Sequence, residues 1–196
     1  MMGVDRRFDP DNRAALLKAE RQERWAPSRF LSQLNLRAGQ TVLDLGCGPG
    51  FWTLPLAEIV GPDGIVWALD MRQEMLDALA ARNPPPQVRP VRSELPVISL
   101  PEVPDSRDPG VDWIWAAFVF HEVDPPEELA AEMRRVTRPG GRVAVLDWRP
   151  DASSDHGPPR SHRFTVAQVG EYLQATGFRD ATRIWQDEEA YLVEAY

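Results

Sequence analysis

Residues 42–52 read VLDLGCGPGFW, an apolar run that leads into three closely spaced glycines and then two aromatic residues. The apolar run predicts a short strand, and the residues after the glycines predict a helix. Glycine allows positive φ and close approach of a ligand to the backbone. A helix that begins at such a loop directs free N–H groups toward it, which suits a carboxylate or a phosphate. The stretch therefore indicates a strand–loop–helix unit that binds a small ligand.

An acidic position completes this unit. The second predicted strand, IVWALD, ends in Asp70, where an acidic residue commonly accepts hydrogen bonds from ribose hydroxyls. Asp44, within the first strand, adds an acceptor suited to an ammonium group. Gly46, Gly48 and Gly50 give the spacing G-x-G-x-G, which differs from the G-x-G-x-x-G of dinucleotide-binding proteins. A ligand with ammonium, carboxylate and ribose groups fits better than a pyrophosphate, and a nicotinamide oxidoreductase is the lower-ranked alternative.

The rest of the chain alternates between strand and helix patterns, which predicts an α/β sheet with parallel strands and right-handed crossovers. Strands are expected at 41–45, 65–70, 88–92, 111–119 and 142–148, helices at 51–60, 72–82, 125–137 and 165–176, and a closing antiparallel hairpin at 178–185 and 189–196. Residues 10–36 predict an N-terminal helical extension that breaks at Pro27, with Asp9 as its cap and an apolar stripe of Leu17, Trp25, Phe30, Leu31 and Leu34.

Composition bounds the class of protein. The chain has 196 residues, 43% hydrophobic and 27% charged, which suits one globular domain with a modest extension. Its net charge of −8 argues against nucleic acid as the main partner. The longest apolar run, residues 113–120, is far shorter than the roughly 20 residues of a membrane-spanning helix, and the first residues lack an apolar leader. A single cysteine, Cys47, excludes an internal disulfide or a cysteine-built zinc site and fits a cytoplasmic location; no metal is expected.

Further motifs follow the glycine loop in a characteristic order. They are DLGCGPG (44–50), ALD (68–70), SELP (93–96), FVFHEV (118–123), RRVTRPGGRVAVLDW (134–148) and GF (177–178). Over about residues 10–196 the chain resembles the S-adenosylmethionine-dependent methyltransferases with a Rossmann-like, mostly parallel seven-stranded sheet, helices on both faces and a C-terminal antiparallel hairpin. It is most similar to small-molecule enzymes of the ubiquinone and menaquinone C-methyltransferase type. The resemblance implies S-adenosylmethionine as cofactor, a small-molecule methyl acceptor, a helical lid over 1–40 and a cofactor-binding domain over 41–196.

The resemblance also implies which residues meet the cofactor. Asp44 would face the methionine ammonium, directly or through water, and Asp70 would hold the ribose hydroxyls. Met71 would pack on the adenine, and Ser93 or Glu94 would meet its amino group. The remaining implied positions line the methionine, ribose and sulfonium: Gly46, Cys47, Gly48, Gly50, Ala116, Ala117 and Phe118.

The acceptor side is less determined by the sequence. His121 is a candidate general base, and the alternative is a histidine that fixes the corner after the fourth strand. The acceptor is expected beneath the 10–36 segment, which carries Arg21, Arg24 and Trp25, and opposite a 149–163 loop, which carries Arg160, His162 and Arg163. The alternative to an enzyme is a non-catalytic sensor that binds S-adenosylmethionine on the same fold.

Overall fold

The computed structural model describes residues 19–101, 110–154 and 156–196. They form a seven-stranded sheet in the order β3-β2-β1-β4-β5-β7-β6. The strands are β1 (Thr41–Leu45), β2 (Ile65–Asp70), β3 (Val88–Arg92), β4 (Val111–Ala117), β5 (Thr137–Trp148), β6 (Thr182–Gln186) and β7 (Ala190–Ala195). The first five run parallel, and β7 lies antiparallel between β5 and β6. The predicted fold class, including the C-terminal antiparallel hairpin, is confirmed.

Six α-helices cover the two faces of the sheet. They are α1 (Ala19–Arg24), α2 (Pro27–Leu31), α3 (Thr53–Val60), α4 (Gln73–Ala80), α5 (Pro126–Val136) and α6 (Val166–Ala175) among the described residues. Apolar side chains of α2, α3 and α4 pack in one core with alternate residues of β1, β2 and β4, whereas those of α5 and α6 pack in a second core on the other face. Along β1, Val42 belongs to the first core and Leu43 to the second, as the two-residue period of a strand requires.

The N-terminal extension follows the predicted pattern where it is described. Its helix is broken between α1 and α2, and Trp25, Phe30, Leu31 and Leu34 are buried against the first face of the sheet. The predicted cap Asp9 and the stripe residue Leu17 lie outside the described residues.

Several strand boundaries differ from the prediction. The fourth strand ends at Ala117 rather than at residue 119, because Phe118 turns the backbone with a φ of 60°. The fifth strand begins at Thr137 rather than at residue 142, because Thr137 already pairs with Val111 beyond an irregularity in the ladder. In the hairpin, both strands are shorter than expected, and residues 187–189 form the turn.

The last helix has the predicted start. Thr165 accepts a hydrogen bond from the N–H of Gln168, and the Gln168 side chain accepts one from the N–H of Thr165. This reciprocal capping box satisfies two N–H groups that the first turn otherwise leaves free. It fixes the end of the 149–163 loop, one wall of the site described next.

Candidate active site

The glycine loop connects β1 to α3 at the carboxyl end of the sheet. Gly46, Gly48 and Gly50 all have positive φ, of 70°, 51° and 82°. A Cβ atom on Gly46 would lie 2.2 Å from Cγ2 of Val119, so both the conformation and the space require glycine. Between them, the N–H of Cys47 donates to the carbonyl of Leu69, 2.9 Å away, and ties the loop to the end of β2.

Asp70 clamps this loop to the start of α4. Its Oδ2 accepts a hydrogen bond from the N–H of Gly48 and its Oδ1 one from the N–H of Arg72, each at 2.9 Å. Burial raises the pKa of Asp70, and these hydrogen bonds offset part of that effect. Each carboxylate oxygen has a second lone pair. Asp70 therefore retains acceptor capacity toward the cavity that it lines.

One cavity of about 570 Å³ opens at the carboxyl ends of β1, β2, β4 and β5. This volume lies within the usual range for small-molecule sites, and the position is where open α/β sheets bind ligands. Its wall contains, among others, Arg21, Gly46, Cys47, Gly48, Phe51, Trp52, Asp70, Met71, Met75, Leu95, Ala117, Phe118, His121, Glu122, Trp148, Pro159 and His162. Predicted cofactor residues and predicted acceptor-side residues thus share a single space.

Asp44 lies beneath the loop and is not among the residues that line the cavity. Its carboxyl group is 1% exposed and accepts a hydrogen bond of 2.6 Å from the hydroxyl of Thr53 on α3. Burial raises the pKa of Asp44 to about 7, and the nearby charge of Asp70 acts in the same direction. The role of Asp44 toward an ammonium group stays a prediction.

Ser93 and Glu94 also lie apart from the cavity. The Ser93 hydroxyl donates to the carbonyl of Val97 and accepts from the N–H of Ser99, so it stabilises its own loop. Both residues line a separate depression formed by the 92–99 segment. Leu95, which the sequence did not single out, lines both this depression and the main cavity.

Cys47 is buried beside the loop. Its thiol contacts the carbonyl of Gly48, and burial, together with the charges of Asp44 and Asp70, raises its pKa well above the ordinary value. A thiol that is held protonated is a poor nucleophile. The geometry favours packing beside a ligand over covalent catalysis.

His121 forms a buried pair with Asp147, a residue that the sequence analysis did not single out. The His121 Nδ1 lies 2.6 Å from Oδ1 of Asp147, and the His121 N–H donates to Oδ2 at 3.0 Å. Burial, the largest single influence, lowers the pKa of His121, but the charge and hydrogen bond of Asp147 and the charge of Glu122 together raise it above its ordinary value. An acidic residue near the end of RVAVLDW, similar to the one that ends IVWALD, was the signal available in the sequence.

Arg21 brings a cation to the cavity from α1. Its guanidinium lies 5.3 Å from the ring centre of Phe51 and 5.4 Å from that of Phe118. Its Nε is buried and has no hydrogen-bond partner among the described residues. Burial lowers the pKa of Arg21 to about 10, which leaves it charged at neutral pH. A cation whose Nε is buried without a partner among the described residues is costly, so this side chain is suited to binding an anionic ligand group.

The remaining predicted acceptor-side residues divide into two groups. His162 lines the cavity, whereas the Arg163 guanidinium donates to the carbonyls of Pro158, Arg149 and His156 and so braces the loop. Trp25 packs edge-on against Phe118 and Trp148 as part of the core, and Arg24 pairs with Glu189. Among the charged or ionisable residues predicted for the acceptor side, Arg21 of the 10–36 segment and His162 of the 149–163 loop therefore face the cavity.

Within the described part of the chain, no group of three or more potential metal ligands occurs. No helix there has both the length and the apolar character that are needed to cross a membrane.

Comparison with known proteins identifies the family. The sequence pattern of a methyltransferase domain matches residues 42–141. The fold is similar to the crystal structure of an S-adenosylmethionine-dependent methyltransferase from Aquifex aeolicus, with a TM-score of 0.85 and 32% identity over 96% of this chain and 98% of that one. The chain belongs to the S-adenosylmethionine-dependent methyltransferase family.

Two curated relatives are more specific in name. The chain is 28% identical over 137 residues to the demethylmenaquinone methyltransferase of Oceanobacillus iheyensis. This match covers 70% of this chain and 56% of that protein. It is 34% identical over 122 residues to the ubiquinone/menaquinone biosynthesis C-methyltransferase UbiE of Burkholderia orbicola. This second match covers 60% of this chain and 47% of that protein. The chain thus spans about half the length of these relatives.

Proposed function

We propose that this protein transfers a methyl group from S-adenosylmethionine to a small acceptor in the cavity between the glycine loop and the 156–163 loop. The observation that carries the proposal is the continuity of this cavity. Asp70 and the glycine loop form one part of its wall, and His121, Trp148 and His162 form another. A sensor needs only the first part, so the shared space favours an enzyme.

The donor set fits S-adenosylmethionine. Asp70 has spare acceptor capacity for ribose hydroxyls, and Met71 and Leu95 offer an apolar wall for adenine. Arg21 offers a carboxylate a guanidinium whose Nε has no hydrogen-bond partner in the described part of the chain. When bound, the sulfonium supplies an activated methyl group, so the protein's main tasks are to align the acceptor and exclude water. In this proposal, Asp44 attracts the methionine ammonium from its position beneath the glycine loop and does not line the cavity.

The acceptor is proposed to be a small quinol or phenol, in keeping with the names of the curated relatives. Phe118 and Trp148, whose ring centres lie 4.8 Å apart, provide an aromatic wall for a planar ring. We also propose a cytoplasmic location, which the single free cysteine supports.

Methyl transfer from labelled S-adenosylmethionine to demethylmenaquinol tests the proposal. We expect a methylated product and one S-adenosylhomocysteine for each methyl group transferred. Arg21→Gln should weaken cofactor or acceptor binding about tenfold or more, because a charge-assisted hydrogen bond is lost. The matched control is Arg29→Gln, which removes an exposed cation of α2 that is not part of the cavity wall. Binding of S-adenosylmethionine with no transfer to any quinol or phenol would favour the sensor.

A further inference from the structure

We propose that His121 and Asp147 form a proton-accepting pair in which His121 binds an acidic hydroxyl of the acceptor and Asp147 positions the imidazole. The proposal rests on the proposed function, because it names the chemical class of the acceptor at that same site. It makes His121 the catalytic residue and Asp147 a positioning residue.

The hydrogen bonds of Asp147 determine which nitrogen is available. Both carboxylate oxygens accept from main-chain N–H groups, Oδ2 from His121 at 3.0 Å and Oδ1 from Trp148 at 2.8 Å. A carboxylate that accepts in this way also accepts from Nδ1 of His121, 2.6 Å from Oδ1, so Nδ1 carries a proton. Nε2 is therefore the nitrogen that gains and loses a proton.

Nε2 is free to meet a ligand. His121 is only 5% exposed, yet it lines the cavity, and no hydrogen bond from the described residues reaches Nε2. A buried imidazole with one nitrogen fixed by a carboxylate and the other directed to a ligand is the arrangement of a general base. A histidine that only fixed the corner would not need an open Nε2.

The surrounding charges make the imidazole of His121 a stronger proton acceptor, which suits an acidic hydroxyl. Asp147 from β5 and Glu122 beside the imidazole favour its protonated form, whereas Arg163 from the adjacent loop opposes it. The hydroxyl of Tyr191 on β7 donates a hydrogen bond to the carbonyl of Phe164. Helix α5 presents apolar residues to the core on this side. On the cavity wall, the guanidinium of Arg21 would stabilise a phenolate or a quinolate.

The proton balance of the reaction follows. The acceptor loses one proton for each methyl group that it gains, and Nε2 of His121 takes that proton. The imidazolium then releases it to solvent when the product leaves. Nδ1 stays protonated throughout, which keeps the hydrogen bond to Asp147 intact.

Nuclear magnetic resonance of the ¹⁵N-histidine-labelled full chain bound to S-adenosylhomocysteine tests the inference. The probes are 1-naphthol and its matched ether 1-methoxynaphthalene, which lacks the acidic hydroxyl. We expect neutral His121 to carry its proton on Nδ1, and we expect 1-naphthol to shift the Nε2 resonance and bind at least about tenfold more tightly than the ether. A proton on Nε2, or equal responses to the two probes, would overturn the proposal.

Variants test the role of Asp147. Asp147→Asn should lower the pKa of His121 by about one pH unit or more and remove the preference for naphthol, because the carboxylate charge is lost. Asp151→Asn, which removes an exposed carboxylate paired with Arg149, is the control and should change neither. If Asp147→Asn does not fold, His121→Gln tests the naphthol preference instead. An unchanged preference in the folded variant contradicts the pair.

The same titration separates the two proposals. Failure of S-adenosylhomocysteine to bind contradicts the proposed function. Binding of S-adenosylhomocysteine without a hydroxyl-specific response at His121 leaves the proposed function in place and overturns only this inference.

Discussion

Replacing Asp70 with alanine removes the side chain that joins the glycine loop to α4. The parent carboxylate accepts hydrogen bonds from Gly48 and Arg72, each at 2.9 Å, and it is 9% exposed. The variant leaves both N–H groups without their acceptor at the edge of the cavity. We therefore expect Asp70→Ala to affect the stability of the fold as well as cofactor binding.

The magnitude follows from the number and type of these bonds. A hydrogen bond to a charged group contributes about 1.5–3 kcal/mol, so two contribute about 3–6 kcal/mol before any offset. Burial opposes ionisation of Asp70, as its raised pKa indicates, and alanine relieves that cost. Water in the cavity also reaches the released N–H groups. We expect a net loss of about 2–4 kcal/mol in the free energy of unfolding.

Cofactor binding gives a second, independent magnitude. Loss of one charge-assisted hydrogen bond to the ribose costs about 1.5–3 kcal/mol, which raises the Kd for S-adenosylhomocysteine by about 10- to 150-fold. Urea unfolding measures the first effect, and calorimetric titration of the folded variant measures the second. Asp63→Ala is the control, because Asp63 is exposed in the turn before β2. A variant as stable as the parent with an unchanged Kd would refute both roles of Asp70.

The other predictions concern stability. Burial raises the pKa of Asp44 from the usual 3.8 to about 7. Between these two pH values the folded chain holds a proton that the unfolded chain has released. The parent protein therefore loses stability as the pH rises from about 4 to about 7. The free energy of unfolding of Asp44→Asn, measured in urea relative to that of the parent, should therefore be higher at about pH 8 than at about pH 5. An equal difference between variant and parent at both pH values would contradict this. Gly46→Ala should lose at least about 2 kcal/mol, because its Cβ would meet Val119, whereas Gly61→Ala, also at positive φ but with open space, should lose only about 1–2 kcal/mol. Thr165→Ala should lower the free energy of unfolding by about 1 kcal/mol through loss of the capping box, and an unchanged urea midpoint would count against that role.

The sequence predicted best what depends on local pattern. The bounds of β1, β2 and β3 and the cap at Thr165 agree with the prediction, because apolar periodicity and capping chemistry act over a few residues. The end of β4 and the beginning of β5 were wrong, since they depend on the backbone turn at Phe118 and on pairing between Val111 and Thr137. Neither the turn nor this pairing can be predicted from the local pattern of apolar and polar residues.

The site divides in the same way. Asp70 and the glycines were predictable because they occupy consecutive strand ends. The pairing of His121 with Asp147 joins residues 26 positions apart on separate elements, so only the three-dimensional structure reveals it. For Ser93, the direction of the side chain in a proline-rich loop could not be read from the sequence, and its hydroxyl bonds within the loop.

Calorimetric titration of the full chain with S-adenosylhomocysteine, S-adenosylmethionine and NAD⁺ determines which cofactor this site binds. The glycine loop, Asp70 and Arg21 face one cavity, so we predict saturable one-to-one binding of both sulfur compounds and no heat from NAD⁺. The Asp70→Ala variant should weaken the binding of both sulfur compounds. Tight binding of NAD⁺ with no response to S-adenosylmethionine would contradict the assignment of S-adenosylmethionine as the cofactor.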